Sequence, residues 1–357
     1  MPSGILLGIS VGLIAGPFRQ KGPTALIDSP EAQFAIDAVR EAAILARRIQ
    51  QEMVTGALIK GDKSPVTVAD FAVQAVVAKR LAEQLPGSAL IGEEAADALR
   101  LEEGIATLDQ ITSFVRTAIS DATPEEVCNL IDRGSGEAPE TFWTLDPIDG
   151  TKGFLRREQY AVALGFIRNG KVEFGVLGCP ELNLHLSNSL QPQAEASGSL
   201  IVASRGNGTY YRPLSSDNDW QRLSVSNCSD PTTARLLRSV EKSHTNVDDI
   251  GQLATKLGTT AAPIGMDSQA KYAVLAAGGG DVLLRLLSPS RPDYLEKIWD
   301  QAAGSIVIEE AGGRITDLDG KPLDFSHGRT LAKNRGILAT NGHLHETALA
   351  ALRAIGA

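Results

Sequence analysis

The sequence predicts an α+β N-terminal part with an antiparallel sheet, followed by an α/β C-terminal part. Helical apolar patterns open the chain, and residues 29–53 and 71–84 are the clearest of them. Hairpin signals then separate short apolar strands, and Asn169-Gly170 is the strongest of these signals. In the last third, strands alternate with helices, which is typical of layered α/β domains.

The change of pattern divides the chain into three segments. Residues 29–230 form the predicted α+β domain and residues 231–357 the predicted α/β domain, with a boundary at Asn227-Cys-Ser-Asp-Pro231. Residues 1–28 are set apart as a leader that is either disordered or a targeting segment. Its apolar run is too short to span a bilayer and lacks the preceding positive charge of a signal peptide.

The composition narrows the class of protein. The chain has 357 residues, of which 43% are hydrophobic and 22% charged, as in soluble globular proteins. Its formal net charge of −9 argues against nucleic-acid binding, and its three cysteines are too few for a disulfide scaffold. The charge still allows a small anionic substrate, and we expect no nucleic-acid or membrane partner. The expected oligomeric state is a monomer. The expected location is cytoplasmic, and organellar targeting by the leader is the alternative.

The first predicted helix follows Ser29, a capping residue, and Pro30, which suits the first helical position. A loop over residues 60–70 then contains Asp62 between two lysines, and the second helix covers residues 71–84. Asp62 lies either in a solvated polar loop or close to a metal site.

A short apolar strand over residues 89–92 ends in two acids, Glu93 and Glu94. Adjacent acids at a strand end are candidate metal ligands, and a solvated acidic turn is the alternative. Two helices, residues 95–122 and 124–131, are predicted next from apolar residues at helical spacing. We assign no catalytic or binding role to residues of these two helices.

The middle of the chain carries the strongest chemical signal. An apolar strand, residues 142–145, leads into Asp146 and Asp149, which have no basic residue between them. Carboxylates this close repel each other unless a cation lies between them, and Mg²⁺ prefers such oxygen ligands. Gly150 lets the backbone approach a ligand, and Thr151 can open a helix whose N–H groups favour phosphate. The alternative is a surface turn with a helix cap.

Strands and helices account for most of the remaining chain. Two hairpins are predicted, and a polar loop over residues 182–196 separates them. Asp300, near the start of a late helix, either caps that helix or binds a cation. The predicted strands are residues 161–167, 172–177, 200–203, 209–212, 236–240, 281–286, 314–317 and 336–339. The predicted helices are residues 247–257, 268–277, 298–311 and 343–355.

Three motifs, in this order, resemble the lithium-sensitive, Mg²⁺-dependent phosphatase superfamily that includes inositol monophosphatase and fructose-1,6-bisphosphatase. They are Gly92-Glu93-Glu94, Asp146-Pro-Ile-Asp149-Gly-Thr151, and Trp299-Asp300 with Ala-Ala-Gly304. The resemblance implies the layered αβαβα fold of the sugar phosphatases.

Further segments are similar to the 3′(2′),5′-bisphosphate nucleotidases. This family removes the 3′-phosphate from 3′-phosphoadenosine 5′-phosphate, a by-product of sulfate transfer. The resemblance covers about residues 30–355. The segments are Lys60-Gly-Asp62-Lys-Ser-Pro-Val-Thr-Val, Ile131-Asp-Arg-Gly134, Thr151-Lys-Gly-Phe154, Gln159-Tyr-Ala-Val-Ala163, Val240-Glu-Lys-Ser-His244, Met266-Asp-Ser268-Gln-Ala-Lys271-Tyr, Leu284-Arg285-Leu and Glu296-Lys-Ile-Trp-Asp300.

The resemblance implies two or three Mg²⁺ ions. One would be held by Glu93, Asp146 and the backbone carbonyl of Ile148. A second would be held by Asp146, Asp149 and Asp300. A third would lie near Asp62 and Glu93.

The same resemblance implies catalytic and substrate roles. Asp62, hydrogen-bonded to Thr151, would orient a metal-bound water and accept its proton. The N–H groups of Gly150 and Thr151 would meet the scissile phosphate, and Asp300 would also lie against the substrate.

A second set of residues would bind the rest of the nucleotide. Ser268, Lys271 and Arg285 would hold the 5′-phosphate, because a hydroxyl, an ammonium and a guanidinium suit a dianion. His244 would contact the adenine, and Asp267 would help to position the sugar.

The implied activity is Mg²⁺-dependent, lithium-sensitive removal of the 3′-phosphate to give AMP and phosphate. 3′-Phosphoadenosine 5′-phosphosulfate is a further candidate substrate. One alternative is an inositol polyphosphate 1-phosphatase, which shares the metal ligands but not the four residues His244, Ser268, Lys271 and Arg285. Another is a non-catalytic nucleotide sensor on the same fold.

Plant members of the nucleotidase family carry a pair of cysteines linked to redox control. Cys179 occupies one of these positions and Ser199 the other, so we expect no equivalent disulfide.

Overall fold

The computed structural model describes residues 28–53, 65–184, 198–217, 219–240, 247–287 and 293–356. These residues form five layers in the order αβαβα. The helices are α1 (Pro30–Met53), α2 (Pro65–Gln84), α3 (Ile105–Val115), α4 (Pro124–Asp132), α5 (Thr151–Arg156), α6 (Val247–Leu257), α7 (Ala270–Ala276), α8 (Ala302–Glu310) and α9 (His345–Ile355). The strands are β1 (Leu90–Gly92), β2 (Thr141–Asp149), β3 (Ala161–Arg168), β4 (Lys171–Cys179), β5 (Ser199–Ser204), β6 (Gly208–Pro213), β7 (Gln221–Leu223), β8 (Leu236–Arg238), β9 (Ile264–Gly265), β10 (Val282–Arg285), β11 (Arg314–Thr316) and β12 (Ile337–Thr340).

The larger sheet has seven strands in the order β1 to β7. Strands β1 and β2 are parallel, and every other neighbouring pair is antiparallel. Successive residues along β2 and β3 point to opposite faces, so the two faces bury different side chains. One face packs on α1 and α2, and the other packs on α8.

The smaller sheet has five strands in the order β11, β12, β10, β8, β9. Its β8 pairs in parallel with β9 and β10, and its β12 pairs antiparallel with β10 and β11. Helix α8 contacts β11 and β12 as well as the larger sheet, so it lies between the two sheets. Helices α6 and α9 pack on each other and share an apolar cluster with the outer face of this sheet.

The layer order agrees with the αβαβα fold expected from the motifs. The helix between the sheets comes from the last third of the chain and packs on a sheet made from the middle third. The division into domains at about residue 230 stays a prediction.

Glycines allow α8 to lie close to the larger sheet. A Cβ atom on Gly165 would be 2.8 Å from the Ala302 Cβ, and one on Gly175 would be 2.6 Å from the Ile306 Cγ2. Atoms of larger side chains would therefore clash with the helix. This close packing fixes the start of α8, and with it the preceding Asp300, relative to the sheet.

Both predicted hairpins are confirmed. In the first, β3 and β4 flank Asn169 and Gly170, whose positive φ angles of 50° and 71° suit a two-residue hairpin turn. The second consists of β5 and β6. The short strands β7 and β9 were not predicted.

The predicted helix over residues 95–122 is confirmed only over Ile105–Val115. The chain there forms two short 3₁₀ turns before α3 begins at Ile105 and ends at Val115. Leu101 between the turns is extended, and the Ala96 N–H donates to Asp132 on α4, 2.8 Å away. These long-range contacts outweigh the local helical pattern. Helix α2 also begins at Pro65, earlier than the predicted residue 71.

Cys179 lies opposite Ser199 in the pairing of β4 with β5, and the three thiols of the chain are free. The Ser199 hydroxyl donates to the Leu182 carbonyl. The leader, and most of the predicted loop over residues 182–196, fall outside the described residues. No helix in the described part of the chain combines the length and apolar character needed to cross a bilayer.

Candidate active site

The acidic residues meet where the parallel strands β1 and β2 end. Gly92 lies opposite Leu145 in this pairing, so Glu93, the first residue after β1, follows beside Asp146, which remains paired with Ala163 of β3. An irregularity in the pairing of β2 with β3 between Asp146 and Asp149 then changes the direction of the strand. The sequence thus brings three carboxylates to one edge of the sheet.

Two residues hold the Glu93 loop in place. Gln74 on α2 is buried, and its Nε2 donates to the carbonyls of Glu94 (2.7 Å) and Ile131 (2.8 Å). Arg329 donates to the carbonyl of Gly92 (2.5 Å) from a chain position far away. Neither was predicted. The sequence could have indicated Gln74, because it is a glutamine on the apolar face of a helix. It holds no comparable signal for Arg329.

The turn after β2 requires glycine. Gly150 has a positive φ of 93°, and a Cβ there would be 2.8 Å from the Ser268 Cβ. Helix α5 then begins at Thr151, as predicted. The turn therefore places the backbone after Asp149 directly against the segment that precedes α7.

Burial and mutual repulsion change the acidity of the carboxyl groups. Burial, followed by the charges of Glu93, Asp149 and Asp300, raises the pKa of Asp146 well above its usual value. Burial and Asp300 raise the pKa of Glu93 to about 8, although a hydrogen bond with Asp146 opposes the shift. Burial also raises the pKa of Asp300 to about 7 against the charge of Arg285.

These acids have the donor chemistry for a hard divalent cation. Asp146 Oδ1 is buried and has no hydrogen-bond partner, which is costly unless a ligand occupies the space beside it. As they stand, the described residues include no group of three acidic, His or Cys side chains arranged to hold a metal. Protein donors engage two of the acids instead, since Asp149 accepts from the Gln269 N–H (2.5 Å) and Asp300 from Arg285 (3.2 Å). A cation would compete with these donors, and the residue types fit one.

Asp70 is a further acid at this site that the sequence analysis did not assign. It lies on α2 and is only 8% exposed. Burial, then the charges of Glu94 and Glu93, raises its pKa well above the usual value. Its position four residues before Gln74 places both side chains on the same buried face of the helix. Asp62, the predicted proton acceptor, lies outside the described residues.

A cavity of about 440 Å³ opens onto the acids. The structure brings most of the predicted site residues to its wall, and His244 lies outside the described residues. The predicted residues that line it are Glu93, Asp146, Ile148, Asp149, Gly150, Thr151, Asp267, Ser268, Lys271, Arg285 and Asp300. The lining residues that were not predicted are Lys152, Ser239, Tyr294, Lys297 and Trp299.

Part of the wall of this cavity, formed by Lys271 and Arg285, is cationic. Lys271 on α7 is 3% exposed, and burial lowers the pKa of its ammonium group to about 8. Arg285 ends β10 and pairs with Glu296 (2.9 Å) as well as Asp300. The cavity therefore places two cations directly beside a cluster of acids.

Two predicted substrate residues have structural partners. The Ser268 hydroxyl accepts from the Ala270 N–H (3.1 Å), and Ser268 has a positive φ of 67°, which is uncommon outside glycine. Asp267 accepts from Arg156 and from the Val240 N–H. Ser268 and Asp267 thus stabilise the cavity wall through these hydrogen bonds.

A larger cavity of about 740 Å³ lies near the start of β2. Glu140 is the one ionisable residue in its lining, which otherwise includes Pro86, Pro139 and Trp143. It offers no convergent charged groups, so the acidic cavity is the candidate active site.

The fold and the acidic cavity together define a class of protein. Residues 28–357 match the sequence model of the inositol monophosphatase family, and the chain belongs to that family. The solved structure of an IMPase from Thermotoga maritima has a TM-score of 0.61 and 19% identity, covering 92% of this chain and 98% of that one. At that identity, the match supports the fold.

Within the family, the chain is similar to proteins named 3′(2′),5′-bisphosphate nucleotidase. The protein of that name from Schizosaccharomyces pombe is 39% identical over 343 residues, covering 91% of this chain and 95% of the relative. The one from Oryza sativa is 40% identical over 338 residues, covering 90% and 93%. The family resemblance drawn from the motifs is confirmed.

We expect the metal-free protein to lose stability as the pH rises from 6.5 to 8. The folded-state pKa values of Glu93 (about 8) and Asp300 (about 7) exceed the usual 4.5 and 3.8. Their contribution to the free energy of unfolding is fully present below the usual pKa values. It is lost as the pH rises through the raised pKa values. Below pH 6.5 the trend is mixed, because the lowered pKa of His345 (about 4) makes stability rise with pH there.

Thermal unfolding in a chelator, measured in steps across this pH range, checks the expectation. Asp146→Asn should raise the midpoint at pH 8, because it removes a buried acid that Glu93, Asp149 and Asp300 repel. Asp319→Asn is the matched control, since Asp319 pairs with Arg335 at the surface. A midpoint that rises steadily from pH 6.5 to 8 in the wild type would contradict the expectation.

Proposed function

We propose that the chain is a Mg²⁺-dependent phosphomonoesterase that removes the 3′-phosphate of 3′-phosphoadenosine 5′-phosphate to give AMP and phosphate. The observation that carries the proposal is the division of one cavity between an acid cluster and a pair of buried cations, Lys271 and Arg285. A cavity of this kind suits a substrate with two phosphates, one at the metal-binding acids and one at the cations. The names of the relatives support the same substrate class.

The acids would hold the metal. Members of this family typically depend on Mg²⁺. Its ligands here would be the carboxylates of Glu93, Asp146, Asp149 and Asp300 and the carbonyl of Ile148, as the motifs implied for two or three ions. Bound Mg²⁺ supplies charge neutralisation at the phosphate and a water of lowered pKa.

The residues of the chain orient the substrate and accept a proton. The backbone at Gly150 and Thr151 lies at the cavity wall beside the acids, where its N–H groups can donate to the scissile phosphate. The attacking water must lose a proton, and a carboxylate is the suitable acceptor. Asp62 stays a candidate for this role. Asp70 is a second candidate, because the charges of Glu94 and Glu93 act on its carboxyl group, which places it next to the acid cluster.

The cationic wall would bind the 5′-phosphate. Lys271 supplies a compact charge, and Arg285 supplies a planar set of N–H groups. The Ser268 oxygen already accepts one hydrogen bond, but its own hydrogen remains able to donate to a phosphate oxygen. A substrate without the second phosphate would leave these groups unpaired.

The substrate proposal is tested by phosphate release from purified protein with Mg²⁺, with and without lithium. We expect turnover of 3′-phosphoadenosine 5′-phosphate to exceed that of inositol 1,4-bisphosphate by at least about 100-fold in kcat/KM. The inositol ring holds its two phosphates in a different relative position, and a misplaced second phosphate leaves Lys271 and Arg285 unpaired. Lithium should lower the rate. Preference for the inositol compound would instead support an inositol polyphosphate 1-phosphatase. Nucleotide binding without any turnover would support a sensor.

The proton acceptor is identified by comparing Asp70→Asn with Asp62→Asn. We expect the variant of the true acceptor to lose about 100-fold in kcat, because general-base catalysis contributes at least that much. The affinity for AMP, measured by titration calorimetry, should change little in that variant. If both variants keep more than about a tenth of the wild-type kcat, neither residue is the acceptor.

A further inference from the structure

Arg285 is held by two acids rather than standing alone in the cavity wall. It is the last residue of β10, and its side chain is 16% exposed. Its Nη2 lies 2.9 Å from Glu296 Oε2 and 3.2 Å from Asp300 Oδ2, and its Nε lies 3.3 Å from Glu296 Oε1. Glu296 therefore contacts two nitrogens of the guanidinium, whereas Asp300 contacts one nitrogen.

Buried hydrogen-bond partners hold Glu296 itself in place. It is buried, and it is absent from the residues that line the cavity. Its Oε2 also accepts from Gln301 Nε2 (2.8 Å), and Gln301 Oε1 accepts from the Tyr272 hydroxyl (2.5 Å). Gln301 and Tyr272 are buried as well, so the network cannot move without breaking hydrogen bonds that water would not replace.

The two acids differ in what else they do. Asp300 is a candidate metal ligand at the cavity wall, so a cation would compete with Arg285 for its oxygens. Glu296 does not line the cavity, so it still pairs with Arg285 when Asp300 binds a cation. The Nη1 group, which bonds to no other described residue, then remains available to a ligand.

We propose that Glu296 is a positioning residue that orients the Arg285 guanidinium toward the second phosphate of the substrate. The inference rests on the proposed function and deepens it, because it names the residue that fixes the specificity group. Without the Glu296 charge, the guanidinium can turn toward Asp300 and away from the second phosphate. The consequence is a loss of preference for a substrate that carries the second phosphate, with the chemical step retained.

The test compares 3′-phosphoadenosine 5′-phosphate with 3′-AMP, which lacks the second phosphate. Glu296→Gln should lower the ratio of their kcat/KM values by about tenfold or more, since a hydrogen bond to a charged group is lost. The loss should appear in KM for the bisphosphate, while both constants for 3′-AMP change less than about twofold. The affinity for AMP, which carries the 5′-phosphate, should fall by a similar factor, and the affinity for adenosine should not.

A double-mutant cycle separates positioning from a general structural effect. In an Arg285→Ala background, Glu296→Gln should change the ratio less than about twofold, because the group that it positions is gone. Glu346→Gln is the matched control, since Glu346 pairs with Arg314 at the surface. Glu296→Asp, which keeps the charge on a shorter side chain, should have an intermediate effect and serves if Glu296→Gln does not fold.

Three results overturn the inference. They are an unchanged substrate ratio in Glu296→Gln, an equal loss on both substrates, and an undiminished effect of Glu296→Gln in the Arg285→Ala background. Failure of the proposed function looks different, because the wild-type protein itself would then show no preference for the bisphosphate.

Discussion

The repulsion among the acids at the ends of β1 and β2 is the constraint on which the rest of the site depends. The parallel pairing places Glu93 beside Asp146, and the irregularity after Asp146 brings in Asp149. The fold keeps Asp146 Oδ1 buried without a partner, an arrangement that costs stability in the absence of a cation. A large packed core offsets such a cost, and unfavourable local arrangements of this kind are typical of functional sites.

The layering of the fold completes the site with residues from distant parts of the chain. Helix α8 lies between the two sheets, and its close approach to Gly165 and Gly175 sets the position of Asp300. The segment before α7 reaches the same place through the Gln269 N–H, which donates to Asp149. The acid cluster and the cationic wall thus line one cavity because one helical layer is shared by both sheets.

The sequence predicted the parts of the site that depend on local patterns. The β2 strand, its two acids, the glycine turn and the helix at Thr151 follow from a short run of residues. Asp70, Gln74, Arg329 and Glu296 were not assigned, because their roles depend on what folds against them. Arg329 contacts Gly92 across 237 residues of chain, for example. The overlong predicted helix over residues 95–122 has the same origin, since the contact of Ala96 with Asp132 outweighed the local pattern.

Calorimetric titration of Mg²⁺ into the metal-free protein at pH 7 tests the central claim most directly. Titrations in two buffers that differ in ionisation enthalpy also count the protons released. The raised pKa values of Glu93 and Asp300 predict that Mg²⁺ binds with release of protons, and that Asp146→Asn weakens binding by about tenfold or more. Binding without proton release, or equal binding by Asp146→Asn, would contradict the claim that these repelling acids form the metal site.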